Sequence, residues 1–246
     1  MAIYHLHMKS ISRADGRSAT GAIAYRAGIQ ITDERTGLEF DYKRKQGVEH
    51  SQIYFPPGEQ ESRPDLLDRS KLWNEIEQRE TKSNAQVARE IEFSFPHELN
   101  AAQRIGLLNA ICRSLADIHG VVVDASIHKP HGRNADARNF HAHVLFSTRR
   151  FEKGQFTEKT REFCKSPDKE KDSEQLLKRL FGHKSATLLW RKFYEIYANK
   201  ALEKAGYQPS LDHRSYLERG IDQQPTIHEG AGRAMSNRGL ESNTVT

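Results

Sequence analysis

The segment Asn139-Phe140-His141-Ala142-His143-Val144-Leu145-Phe146 constrains the fold more than any other stretch of the chain. Alternate side chains of a β-strand point to opposite faces. His141 and His143 therefore share one side, and Ala142 and Val144 the other. The apolar side needs a cover of helices, while paired imidazoles need a sheet face left partly open. The rest of the pattern agrees. Alternating or apolar runs predict strands at 2–9, 38–43, 49–55, 87–95, 121–128 and 139–149. Helical spacing predicts helices at 19–27, 65–81 and 100–119, and over most of 173–205 with a break near 182–183. Ser18 and Asn100 read as N-caps and Gly28 as a helix stop. The expected class is α+β: a central antiparallel β-sheet with helices packed on it in a two-layer or three-layer sandwich.

Composition removes several function classes. Hydrophobic residues are 36% of the 246 and charged residues 29%, with a mean hydropathy of −0.78. No apolar run approaches the roughly 18 residues of a membrane span, and the first residues carry no signal-peptide pattern. No membrane insertion is expected. The two cysteines, Cys112 and Cys164, cannot build a disulfide framework, so a cytoplasmic location is the expectation. The net charge of +5 is compatible with nucleic acid without requiring it. Residues 151–172 read as charged and irregular, and residues 231–246 as a flexible tail or linker after a main domain at 1–230.

Two imidazoles side by side on a strand are half of a metal site. His128 ends the preceding predicted strand, and a hairpin through the loop 129–138 would return it beside His141. Three histidines could then hold one divalent cation. His131 competes as the third ligand, and His5-Leu6-His7 repeats the pair pattern on the first strand; spacing does not choose between them. Glu90 and Glu92 share a strand face and could orient a ligand histidine or take a proton from a nucleophile. Tyr25 sits among small residues at the end of the first helix, where a packed aromatic is the ordinary reading and a phenol nucleophile the alternative. Lys9, Arg13, Arg17, Arg26, Arg133, Arg149 and Arg150 are candidates for phosphate contacts, against a solvated charged surface.

Five segments taken together resemble one family. They are Ala2-Ile3-Tyr4-His5-Leu6, residues 18–25, Arg89-Glu90-Ile91-Glu92-Phe93, His128 with His141-Ala142-His143, and Asp212-His213-Arg214-Ser215-Tyr216 running on to Gly220-Ile221 and Pro225-Thr226-Ile227-His228. Their order and spacing are similar to those of the MobA/MobL relaxases of mobilisable plasmids and the relaxase portion of TraA-type conjugation proteins, within the HUH endonuclease class. The likeness covers roughly residues 1–230 and implies an HUH-relaxase-like sandwich. It implies that Tyr25 is the nucleophile, that His128, His141 and His143 are the metal ligands, and that Glu90 and Glu92 form the acidic strand beside them. The loop between His128 and His141 is longer than the family pattern and carries Lys129, His131, Arg133 and Arg138.

The activity implied is site-specific nicking and rejoining of plasmid DNA at the transfer origin (oriT) through a 5′-phosphotyrosyl intermediate. The implied partners are single-stranded DNA with an adjacent hairpin, relaxosome accessory proteins and a type IV secretion coupling protein. One divalent metal ion is expected. Mn²⁺ or Mg²⁺ come first on abundance; Zn²⁺, Ni²⁺ and Co²⁺ also suit imidazole. The rival readings are a rolling-circle replication initiator of the same class, a non-cleaving DNA-binding accessory protein, and a metal-dependent hydrolytic nuclease.

Overall fold

The computed structural model describes residues 4–131, 136–163 and 185–222. Arg133, Cys164, the expected break near 182–183 and the tail 231–246 lie outside the described residues. The chain divides into two compact units, Met1–Asp212 and His213–Thr246. In the second unit the described residues form a short turn closed by Glu218, whose carboxylate accepts bonds from the Ser215 amide (2.8 Å) and hydroxyl (2.9 Å).

The first unit is built on a five-stranded antiparallel sheet. Its strands are β1 (Leu6–Ser12), β4 (Val48–Tyr54), β5 (Gln86–Ser94), β6 (Val123–His128) and β7 (His141–Ser147), in the order β1-β5-β7-β6-β4. Two small hairpins flank it: β2 (Gln30–Thr32) with β3 (Glu39–Asp41), and β8 (Arg149–Glu152) with β9 (Gln155–Lys159). Among the described residues four α-helices cover the sheet: α1 (Ala19–Ala27), α2 (Arg69–Arg79), α3 (Ala101–His119) and α4 (Ala186–Lys204).

Period-2 alternation sorts the central strands between two layers. Ile91 and Phe93 of β5, Val144 and Phe146 of β7, and Ala125 and Ile127 of β6 pack with α3 and α4 in one core. Ile11, Ala88 and Leu145 lie in a second core with Ile23 of α1 and Trp73 and Ile76 of α2. That second core covers only one end of its sheet face. Toward the other end β5 and β7 change from Ala88 and Leu145 to Glu90, Glu92, His141 and His143 on the same side. A helix cover that stops halfway along the face is what leaves room for chemistry.

The predicted strands and helices recur with shifted ends; of the helix expected over 173–205, Ala186–Lys204 is helical and 173–184 lie outside the described residues. Asn100 caps α3 through a reciprocal box with Gln103. The expected helix over 65–81 begins one turn later, because Asp68 caps it by accepting from the Ser70 and Lys71 amides. Part of the stretch read as irregular, 151–159, belongs to the β8–β9 hairpin. Its turn uses Gly154 (φ 74) and Lys153 (φ 50), and Glu59 accepts from both of their amides.

Between α3, α4 and the residues after β9, a buried imidazole has its protonation state fixed by its neighbours. Trp190 Nε1, which can only donate, gives a 3.2 Å hydrogen bond to His119 Nε2. His119 Nδ1–H then donates to Glu162 Oε1 at 2.9 Å. Burial lowers the His119 pKa against the opposing pull of Glu162. The unfolded chain therefore binds the extra proton first as pH falls. This contribution is complete above about pH 6.5, the ordinary value for histidine, and is lost as pH drops below it. The wild-type thermal midpoint should fall more steeply between pH 7.5 and 5.5 than that of His119→Gln. Equal slopes in parallel melts would rule this out.

Candidate metal centre and nucleophile

The site lies where α1 ends over the uncovered end of the sheet. Ser18 Oγ accepts from the Gly21 amide (3.0 Å) to start the helix, and Gly28 at φ 67 ends it. Glu77 of α2 receives the Ala19 amide at 2.5 Å, so a carboxylate sits at the positive end of the helix. Arg13 holds that carboxylate through two nitrogens. At the other end, Arg26 donates from Nε and one terminal nitrogen to the two oxygens of Glu90, at 2.6 and 2.7 Å. The nine-residue helix is thereby fixed at its start by a buried carboxylate and at its end by a buried ion pair, and Tyr25 is presented at its last turn, 47% exposed.

The register of β6 on β7 sets His128 directly opposite His141, and β5 on β7 sets Glu92 opposite His143. One ligand nitrogen from each of His128, His141 and His143 lies within 4.8 Å of the others. Each ring has its tautomer fixed by an acceptor. His128 Nε2 donates to the Arg26 carbonyl (2.6 Å), His141 Nδ1 to the Asn139 carbonyl (3.1 Å) and His143 Nδ1 to Glu90 Oε1 (2.6 Å). The nitrogens left for a metal are Nδ1 of His128 and Nε2 of His141 and His143. Neutral rings with the second nitrogen held by a backbone or carboxylate oxygen are the donor set a divalent cation requires. Burial pushes His128 down to about 3, and burial likewise lowers His141, which keeps both lone pairs free of protons.

Glu90 is wholly buried. Burial alone would raise its pKa, but the bonds from His143 and Arg26 hold it well below the ordinary range. With both oxygens engaged, Glu90 has the geometry of a ring-orienting group rather than of a proton acceptor. Glu92 is half-buried and accepts from Lys9 Nζ at 2.8 Å; the same ammonium lies 3.3 Å from Glu90. Glu90, Glu92 and His143 also form a compact donor group, but Arg26 already pairs with Glu90 and Lys9 with Glu92. The three imidazoles fit a metal better.

His5 and His7 are exposed and, among the described residues, belong to no metal-binding group; the register of β6 on β7 selects the other pair. Two basic residues expected on a DNA-facing surface are turned inward. Arg13 is bound to Glu77 and Arg26 to Glu90, each with its side chain less than a tenth exposed. Arg149 pairs with Glu80 and Arg150 with Glu162, both part-buried. Arg17 is exposed. The sequence reading missed Lys45. Its Nζ lies 4.2 Å over the Tyr25 ring and 3.2–3.3 Å from both His128 nitrogens. Burial, and then the nearby Arg26 charge, lower it to about 8. Nothing in the local pattern of a turn singles it out.

An antiparallel sheet with a half-covered face, three histidines on two of its strands and a tyrosine helix above them is the arrangement implied by the relaxase resemblance of the sequence. Residues 17–238 match the model of the MobA/MobL family, and the chain belongs to that family. The mobilization protein MobL of Acidithiobacillus ferridurans is 39% identical over 266 aligned positions, which cover 99% of this chain; the chain spans 65% of the length of that relative. A structure described as the molecular basis of vancomycin resistance transfer in Staphylococcus aureus aligns with TM-score 0.68 and 29% identity, over 87% of this chain and all of that one. The metal-bound structure of the conjugative relaxase TrwC with oriT DNA aligns with TM-score 0.50 and 14% identity, over 96% and 90% of the two chains, a likeness of fold. Among the described residues no helix is long and apolar enough to cross a membrane.

Proposed function

We propose that this chain cuts and rejoins one strand of plasmid DNA at the transfer origin, in plasmid mobilisation, with residues 1–230 as the strand-transfer domain. The observation that carries the reading is that Arg26, the residue after Tyr25, bonds His128 through its carbonyl and His143 through Glu90. Nucleophile and ligand set are thus one connected unit. The TrwC structure supports the same reading, since its description joins a relaxase, a metal and oriT DNA.

Tyr25 Oη attacks phosphorus in line. The O–P bond to Tyr25 forms as the bond to the 3′-oxygen breaks, leaving a 5′-phosphotyrosine and a free 3′-hydroxyl. The phenol proton leaves to solvent through the exposed side of Tyr25, and the departing oxygen takes one up. No water adds, so the reverse reaction reseals the strand. His128, His141 and His143 would hold a divalent cation, which would stabilise the charge that builds on the non-bridging oxygens. Mn²⁺ or Mg²⁺ is the proposed ion. Glu90 keeps His143 in its ligating tautomer, and Arg26 keeps Glu90 ionised. The substrate is single-stranded DNA beside a hairpin. Relaxosome proteins and a type IV secretion coupling protein are the proposed partners, in the cytoplasm.

The test is a denaturing gel of the protein incubated with single-stranded oriT DNA of its own plasmid, with Mn²⁺ or with EDTA. A protein–DNA adduct that needs the metal is expected. Cleavage without an adduct would mean hydrolysis, and tight binding without cleavage would mean an accessory protein.

A further inference from the structure

Lys45 has no part in the ligand geometry described above, yet the fold takes trouble to hold it. The turn 42–47 is pinned on both sides. The Tyr42 amide donates to the Ile29 carbonyl at 3.1 Å, just past the end of α1, and the Lys129 amide donates to the Gly47 carbonyl at 2.8 Å, just past β6. Gly47 adopts φ 90, and a Cβ there would come within 3.2 Å of the Lys129 carbonyl oxygen. The turn can therefore lie flat against the strand end that carries His128. The Lys45 amide donates to the Tyr42 carbonyl (2.9 Å), which closes the turn.

The half-buried ammonium has no carboxylate partner among the described residues, unlike Lys9 beside Glu90 and Glu92. Its distances to the two His128 nitrogens are nearly equal, 3.3 and 3.2 Å, so it sits over the ring and not on the in-plane lone pair of Nδ1. Its other neighbour is the π-face of Tyr25. A cation held half out of water without a counter-ion is preorganised for an anion. The gap between the attacking phenol and the histidine ligands is where the attacked phosphate must lie.

We infer that Lys45 is a phosphate-contacting catalytic residue: its ammonium donates to an oxygen of the scissile phosphate between Tyr25 and His128. The inference rests on the tyrosine-transfer reading. The phosphate supplies the negative charge that lets a metal and an ammonium stand close together. Because charge grows on the phosphate oxygens during attack, the contact strengthens toward the transition state.

Two measurements test it. In single-turnover cleavage at saturating DNA, Lys45→Met should slow adduct formation about 100-fold, the usual cost of one lost donor to developing charge, and Lys45→Arg should recover most of the rate. The second readout needs no activity. In a Tyr25→Phe background with EDTA, wild-type Lys45 should bind an oligonucleotide ending in a 3′-phosphate at the nick position about tenfold more tightly than one ending in a 3′-hydroxyl, and Lys45→Met should erase the difference. A loss that is merely structural would weaken both oligonucleotides alike and overturn the inference. So would wild-type cleavage by Lys45→Met. If the unsubstituted protein forms no adduct, the tyrosine-transfer reading itself fails and Lys45 falls with it.

Discussion

Tyr25→Phe should abolish the covalent protein–DNA adduct and lower strand cleavage by at least about 10⁴-fold, because the attacking atom itself is removed. The fold should not notice. Tyr25 is 47% exposed, and its ring keeps the edge-on contact with Tyr42 (centroids 5.2 Å apart) and the Lys45 ammonium over its face. Stability should stay within about 0.5 kcal/mol, as for surface changes that leave packing alone. DNA affinity and metal affinity should also hold, since the phenol oxygen bonds none of the histidines or their acceptors. Other tyrosines make poor substitutes. Tyr4 donates to the Arg191 carbonyl and Tyr194 to the Ser94 carbonyl, and burial raises both. Tyr197 is hydrogen-bonded to Ser114 at 2.6 Å. An adduct surviving in Tyr25→Phe would point to Tyr42, the nearest other phenol, and would sink the assignment. The measurement is a denaturing gel with single-stranded oriT DNA and Mn²⁺, with urea melts of both proteins alongside.

Much of this site is legible in the sequence, and the parts that are not share a physical reason. His141 and His143 follow from strand alternation, and the caps of α1 follow from Ser18 and Gly28, because both are local rules. The choice of His128 over His5, His7 and His131 depends on strand register, which alternation within one strand does not contain; the family likeness supplied it. Arg13 and Arg26 read as surface charge because nothing local reveals a buried partner. Glu77 and Glu90 each lie 64 residues away from the arginine they hold. Lys45 is invisible for the same reason: its place over the site comes from two backbone bonds that close a turn against distant elements. The β8–β9 hairpin was hidden by a different effect. Its strands are short and charged, and only Phe151 and Phe156, buried against each other, mark them.

Glu90→Gln should cost more stability than any other single change at the site. Oε1 accepts from both Arg26 Nε and His143 Nδ1, and Oε2 from the second Arg26 nitrogen. A carboxamide has one acceptor oxygen. With that oxygen toward His143, its NH₂ meets the remaining Arg26 donor; turned the other way, the NH₂ meets His143 and Arg26 Nε. Either way a buried guanidinium loses its counter-ion, which costs about 3–5 kcal/mol. His143 also loses the acceptor that fixes its tautomer, and metal affinity should fall about 10–100-fold. The two effects separate in Arg26→Met with Glu90→Met. The apolar pair removes the unpaired charge, and since replacing both members of a buried ion pair is often neutral, most of the stability should return. His143 still has no partner, so metal affinity should stay low. Urea unfolding gives the first quantity and Mn²⁺ titration calorimetry the second. Wild-type Mn²⁺ affinity in the double variant would show that Glu90 does not orient His143. Unchanged unfolding in Glu90→Gln would show that the Arg26 pair does not hold the tyrosine helix to the sheet.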